Sequence, residues 1–267
     1  MPNDEFGDWR IEVALTLGQD IPPAYPGGPS HKAGAPVYLS RLVKSKHFGM
    51  LGFVSPHPVA LALNIALNAL QQSIATLSKL QIQGSVTPFG DGKMIPYKLL
   101  PQFFEFLESC MITVTFSFQS IETFSNYIIE QNKDKKIEIK KKGELSIFTY
   151  EEAIRRLSTE EKISKVLPCL LRTASPAGNK IWAHFLQLKE ARDSTIHWKE
   201  SEGDNQVEVD SLYHHFLNTN LSTHILTAYE VINYFTPESE QPRWWREYKI
   251  LLAENHLIHF PKNRKTS

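Results

Sequence analysis

Charge of one sign is missing from this sequence: 29 Lys and Arg stand against 29 Asp and Glu over 267 residues. A balanced chain is no polyelectrolyte, so any contact with nucleic acid has to come from a local patch. Cysteine is nearly absent. Cys110 and Cys169 are the only two, each among apolar neighbours, which excludes a disulfide framework and predicts buried free thiols in a reducing compartment. The glycines at Gly27–Gly28 and Gly90–Asp91–Gly92 are not followed by Gly-Lys-Ser/Thr, so a phosphate loop is excluded, and no His-Glu-x-x-His metal pattern occurs. Nucleophile-elbow motifs are missing as well. No long hydrophobic run survives inspection: the stretch 58–80 is interrupted by Asn64, Asn68, Gln71, Gln72 and Lys79. That pattern fits a buried helix better than a membrane span. The polar, acidic start is unlike a signal peptide. These absences predict a cytoplasmic protein with no membrane contact, no cofactor and no metal.

What is present is mostly helical periodicity. Residues 1–36 read as irregular because of Pro22, Pro23, Pro26, Pro29 and Pro36; residues 9–17 fit either a strand or a short helix. Residues 37–52 are weakly helical by composition. Helices are predicted at 58–83, started by Pro58 and stopped by Gly84, and at 102–131, with Phe106, Cys110, Val114 and Phe118 on one face. A proline- and glycine-containing loop joins them. Ile137 and Ile139 alternate with charge before Gly143, which predicts a short β-hairpin near 136–148. Thr149 with Glu152, and Ser158 with Glu161, form two capping boxes; they predict helices at 150–157 and 159–172, with Pro168 kinking or ending the second. Further helices are expected at 179–199 and 210–235, and an aromatic one around Trp244, Trp245 and Tyr248. That last pair of tryptophans is read as an anchor to the core rather than a stacking platform for bases. The division is then residues 1–99 as an N-terminal helical extension, 100–236 as an all-α region, and 237–267 as a C-terminal helix with a basic tail.

Chemistry concentrates in one segment, Leu186–Trp198, which holds Arg192, Asp193 and His197. Arginine grips a phosphate with two parallel donors, and histidine exchanges a proton near neutral pH. Together they suit RNA cleavage through the ribose 2′-hydroxyl. Five positions on a continuous helix separate the two by roughly 140° and about 7.5 Å of rise, so they converge only if the helix is distorted or if a second copy shares the cleft. Lys135, Lys136, Lys140 and Lys141 lie in a lysine-rich stretch that fits a solvated hairpin or a basic patch beside an RNA backbone. His214, His215 and His224 are close in sequence, but adjacent helical positions point about 100° apart, so no chelate is expected.

The Arg192–Asp193–x3–His197 segment resembles the signature of the HEPN superfamily, an Arg and a His four to six residues apart with a polar residue after the Arg. The stretch 120–129, with Glu122 and Asn126 one helical turn apart, is similar to that family's first bundle helix. The resemblance covers about residues 100–236. It implies an all-α, HEPN-like up-and-down helical bundle over 100–236, dimeric, acting as a metal-independent endoribonuclease in a toxin–antitoxin, phage-defence or stress system, with RNA and an antitoxin or defence protein as partners. It assigns Arg192 and His197 as the catalytic pair, Asp193 as an orienting group, and Glu122 and Asn126 as support. Other members of the superfamily are non-catalytic modules that bind a partner protein or a nucleotide, which is the alternative here.

Overall fold

A computed structural model describes residues 7–23, 25, 30–80, 84–87, 90–141, 143–197 and 211–258. These are mostly helical, and they divide into two compact units: residues 62–237, and residues 1–61 together with 238–267.

The larger unit is built around α2 (Leu100–Gln131), about 48 Å long at helical rise. Phe106, Cys110, Val114, Phe118, Ile121 and Ile129 are buried along it. Small hydroxyl residues share that face, and four of them satisfy themselves: Ser109, Thr113, Ser120 and Ser125 each donate to a carbonyl three or four residues back. Buried polar groups so paired let neighbouring helices approach closely. α6 (Lys180–Ile196) and α8 (Ser222–Tyr234) pack on α2 and on each other, and the shorter α7 (Leu212–Asn218) joins them. α1 (Pro58–Lys79) begins at the predicted proline and buries Leu63, Ala66, Leu67 and Leu70, spaced at three and four. Among the described residues α1 is the one helix long and apolar enough to cross a membrane by composition, and 56% of its most apolar window is buried.

The predicted capping boxes form. Thr149 and Glu152 close the start of α3 (Tyr150–Arg156), and Ser158 and Glu161 that of α4 (Thr159–Glu161). α4 runs into a π-helical turn, Lys162–Val166, and then α5 (Leu167–Leu171), which ends on Arg172 in the left-handed conformation. The expected disturbance near Pro168 therefore appears as a wide turn just before the proline. The 136–148 hairpin is present as β7 (Ile137–Lys141) and β8 (Glu144–Phe148). Gly143, at φ +89, makes its turn. Ile137 and Ile139 are buried while Glu138 and Lys140 are exposed, the alternation the sequence carries.

The other unit corrects the expectation of a helical extension, and of the two readings open for residues 9–17 it has the strand, over Val13–Thr16. It holds two antiparallel hairpins: β1 (Val13–Thr16) with β2 (Pro36–Tyr38), and β3 (Ser40–Ser45) with β4 (Gly49–Val54). The segment 37–52, read as weakly helical, is strand. Val43, Phe53 and Val54 disfavour helix, Gly52 weakens it further, and Gly49 at φ +68 permits the turn. Ser55 ties the hairpin base to the preceding chain, donating its N–H to the Leu39 carbonyl and accepting from the Glu12 N–H. A further pair, β5 (Gly84–Thr87) with β6 (Gly90–Lys93), lies in the larger unit where a loop was expected. α9 (Arg243–Glu254) completes the smaller unit with Trp244, Tyr248 and Leu252 buried four apart. Trp9 stacks on Tyr248 and His57 on Trp244. Both tryptophans of α9 are buried, which fits an anchor and removes them as stacking platforms.

Candidate functional site

α6 carries the Arg–His segment. Its buried face is Phe185, Leu188, Ala191 and Thr195, and Arg192, four residues on from Leu188, lies at the edge of that face toward α2. There its guanidinium carbon sits 4.7 Å from the centre of the Phe118 ring. Its Nη1 donates to Asp193 Oδ1 at 2.8 Å, and Lys189 Nζ donates to Asp193 Oδ2 at 3.1 Å. Glu160 Oε2 lies 3.8 Å from the same lysine nitrogen. Burial acts to raise the Asp193 carboxyl, but the hydrogen bonds from Arg192 and Lys189 outweigh it and hold the group below its ordinary value. The Asp193 bond in turn raises Lys189. Asp193 is thus a fixed anion clasped by two cations.

His197 is the residue at which α6 stops. Its backbone N–H still donates to the Asp193 carbonyl at 2.9 Å, but its own backbone, at φ −105 and ψ 52, has left the helix, and its side chain is exposed. Trp198, the last residue of the segment, lies outside the described residues.

Glu122 and Asn126 follow Phe118 at intervals of four on α2. The Phe118 end of this stripe meets α6. The Asn126 end meets a lysine that the sequence reading did not single out: Lys162 Nζ donates to Asn126 Oδ1 at 2.8 Å and to the Ile154 carbonyl at 2.9 Å. Lys162 is only 2% exposed. Burial lowers its pKa, and the negative charge of Glu122 opposes that shift. It occupies the first position of the π-helical turn, a local widening that recurs at functional positions. Nothing in the spacing of Lys162 from Asn126 announces the pair.

The lysine-rich stretch divides. Lys136 and Lys140 are exposed on the hairpin, and Lys135 Nζ donates to the Leu170 carbonyl at 3.3 Å. The Lys140 carbonyl accepts from Lys165 at 3.2 Å. Lys141 stands opposite Glu144 in the β7–β8 register.

A different face of α6 opens on a cavity of about 600 Å³ between α6, α7 and α8. His184, Glu190, His215, Thr219, His224 and Glu230 are among its lining residues. His184 Nδ1 lies 3.0 Å from Glu230 Oε2, and His215 Nε2 lies 3.0 Å from His224 Nε2. Two ring nitrogens at that distance share one proton, and His215 Nδ1, 3.2 Å from Thr219 Oγ1, has a second partner. Burial pushes His224 down to about 4, with His215 adding to the effect; burial lowers His215 too, helped by His214 and opposed by Glu190. Both rings are therefore neutral at pH 7. Among the described residues no three His, Cys, Asp or Glu side chains converge to hold a metal. The sequence flagged these histidines, but on one continuous helix His215 and His224 would point to opposite sides. The break between α7 and α8 brings them together.

The cavity lies along His184, Gln187, Ala191 and Ser194, whereas Arg192 is turned about 100° from Ala191 toward Phe118. Arg192 and the cavity therefore belong to different surfaces. No family model, no curated protein and no solved structure matches the chain.

Proposed function

We propose that this chain is a metal-independent endoribonuclease of the HEPN type, with Arg192 and His197 as its catalytic pair. The observation that carries the reading is the end of α6 at Ile196. On a continuous helix the two side chains would diverge by roughly 140°. The His197 N–H still bonds to the Asp193 carbonyl, so much of that divergence remains, and the exposed imidazole, five positions past a positioned guanidinium, meets the same phosphate through a cleft shared with a second copy.

In the proposed reaction the ribose 2′-oxygen attacks the adjacent phosphorus and the 5′-oxygen leaves, giving a 2′,3′-cyclic phosphate and a free 5′-hydroxyl. A proton leaves the 2′-hydroxyl and one reaches the departing oxygen; His197 handles one of these transfers. Arg192 forks onto the phosphate oxygens and stabilises the charge that builds there, trading its bond to Asp193 for one to substrate. A second copy of the chain supplies the facing wall and the other proton carrier. Glu122 and Asn126 act one layer back, through α2. An exposed Lys136 and Lys140 would meet the RNA backbone. The setting we propose is a toxin or phage-defence system in the cytoplasm, with an antitoxin or defence protein as regulator.

A second reading is favoured by one observation. Arg192 is already bonded to Asp193 and seated on Phe118, as it would be in a non-catalytic module that uses the bundle to bind a protein or nucleotide. Cleavage assays in chelator separate the two. The wild type cuts RNA and leaves cyclic-phosphate ends, while Arg192→Ala and His197→Ala each lose at least about a hundredfold. Absence of cutting by the wild type across structured and unstructured RNA overturns the nuclease reading in favour of the module.

A further inference from the structure

Among the described residues, the β3–β4 hairpin carries exposed apolar side chains on both of its sides. Direct pairing puts Leu42, Lys44 and Met50 on one face, and Arg41, Val43, Leu51 and Phe53 on the other. All of these are exposed, Leu42 by 66% and Met50 by 60%, and Phe48 at the turn by 74%. An ordinary two-stranded hairpin hides one such face against a core; here neither is hidden by the described residues, which marks an interaction surface. Along the chain its charge has one sign, and among the described residues the acid Glu12 meets it only at its base, through backbone hydrogen bonds to Leu39 and Ser55. Between Asp20 and Asp91 the chain has no Asp or Glu, while it has Lys32, Arg41, Lys44, Lys46 and Lys79. An otherwise neutral protein therefore keeps an acid-free stretch about this hairpin.

We infer that the β3–β4 hairpin docks on an anionic lipid surface, with Phe48, Met50 and Leu42 entering the headgroup boundary and Arg41, Lys44 and Lys46 held at the phosphates. Charge complementarity chooses the occupant. A second copy of the hairpin would bring the same cations against these. RNA would match the charge, but bases stack on rings, and the exposed apolar groups here are mainly aliphatic. A bilayer boundary takes both faces of a projecting hairpin at once, and basic residues flanking apolar ones are what such a boundary retains. The depth is limited. Among the described residues β3 and β4 pair only with each other, so their outer N–H and C=O groups need water and the hairpin stays interfacial. The sequence-based expectation of no membrane contact came from the polar interruptions at 58–80 and from a start unlike a signal peptide, and neither bears on this hairpin.

The test is co-sedimentation of the full chain with phosphatidylcholine vesicles, with and without phosphatidylserine, at low and high salt. Binding is expected only to the phosphatidylserine vesicles and is released by salt. Arg41→Gln with Lys44→Gln weakens it by about fivefold per cation, and Phe48→Ser with Met50→Ser weakens it independently, with unchanged circular dichroism in both cases. Failure of the wild type to bind phosphatidylserine vesicles at low salt overturns the proposal, as does binding that neither pair of substitutions alters. If Phe48→Ser with Met50→Ser instead dissociates a dimer, or abolishes an RNA gel shift, while vesicles bind nothing, the hairpin's occupant is a second copy or RNA and the lipid assignment falls. None of these readouts involves RNA cleavage, so they stand apart from the nuclease reading.

Discussion

Arg192 rests on Phe118, its guanidinium carbon 4.7 Å from the ring centre, and so ties α6 to α2 one helical turn before Glu122. A cation over a ring is worth about 0.5–2 kcal/mol, more when water is excluded. Phe118 is also stacked on Phe185, so the ring links the seat of Arg192 to the core. Phe118→Leu keeps most of the apolar volume and removes the quadrupole. It is expected to cost less than about 1.5 kcal/mol in urea unfolding, yet to lower RNA cleavage several-fold because Arg192 loses its seat. A stability loss with cleavage unchanged would make Phe118 a packing residue alone.

Lys162 connects α2 to the π-helical turn through Asn126. In Lys162→Met the buried charge goes, but Asn126 Oδ1 and the Ile154 carbonyl lose their donor, and an unsatisfied buried acceptor costs about 1–3 kcal/mol. Net destabilisation of about 2 kcal/mol is expected. The pH dependence gives a second readout. Burial lowers the folded-state pKa of Lys162 below 10.5, so the unfolded chain holds that proton more firmly. The penalty is present at neutral pH and is relieved as pH rises from the folded value toward 10.5. Wild-type stability should gain over that window relative to Lys162→Met; parallel curves would show that Lys162 carries no such penalty.

How much of this was legible in the sequence depends on the range of the interaction. The capping boxes at Thr149 and Ser158 and the β7–β8 alternation are local, written within a few residues, and they form as read. The faces of α1 and α2 follow from apolar spacing. The β3–β4 hairpin was missed because both of its faces are apolar, which erases the alternation that identifies a half-buried strand. Within the candidate site, Arg192 and Asp193 could be named from the motif, but the Phe118 seat and the Lys162–Asn126 bond join residues far apart in the chain. No periodicity reports such contacts. The His215–His224 contact needed the break at Thr219–Leu221, which the reading of 210–235 as a helical region did not place.

That contact sets an acid limit. The His224 ring takes its proton at about 4 when folded, against 6.5 ordinarily, because of burial and then the neighbouring His215. As pH falls below 6.5 the unfolded chain protonates first, so stability present at neutral pH is lost progressively down to about 4. The loss from this one group approaches about 3 kcal/mol. His57 in the other unit, lowered to about 4 by burial, acts with the same sign. His224→Gln keeps a hydrogen-bonding side chain without the titration. Urea unfolding on either side of the window should show a shallower acid decline for the variant. An identical decline would place the acid sensitivity elsewhere.

The two thiols, expected alike, differ. Cys110 is buried in α2 and burial pushes it up to about 12, far from any thiolate at neutral pH. Cys169 is exposed on α5, where its neighbours Leu167 and Leu170 take the buried positions and turn it outward. A thiol reacts as its thiolate and only where reagent can reach it. The native chain should therefore release one equivalent of thionitrobenzoate rapidly and a second only on unfolding in urea. Cys169→Ser should abolish the fast equivalent with little change in stability, as for most surface substitutions, whereas Cys110→Ser places a hydroxyl in the α2 core and should destabilise by about 1–3 kcal/mol. Two fast equivalents from the native wild type would mean that the face of α2 around Cys110 opens readily to solvent, and the rigid seat proposed for Arg192 on Phe118, two turns along that helix, would lose its support.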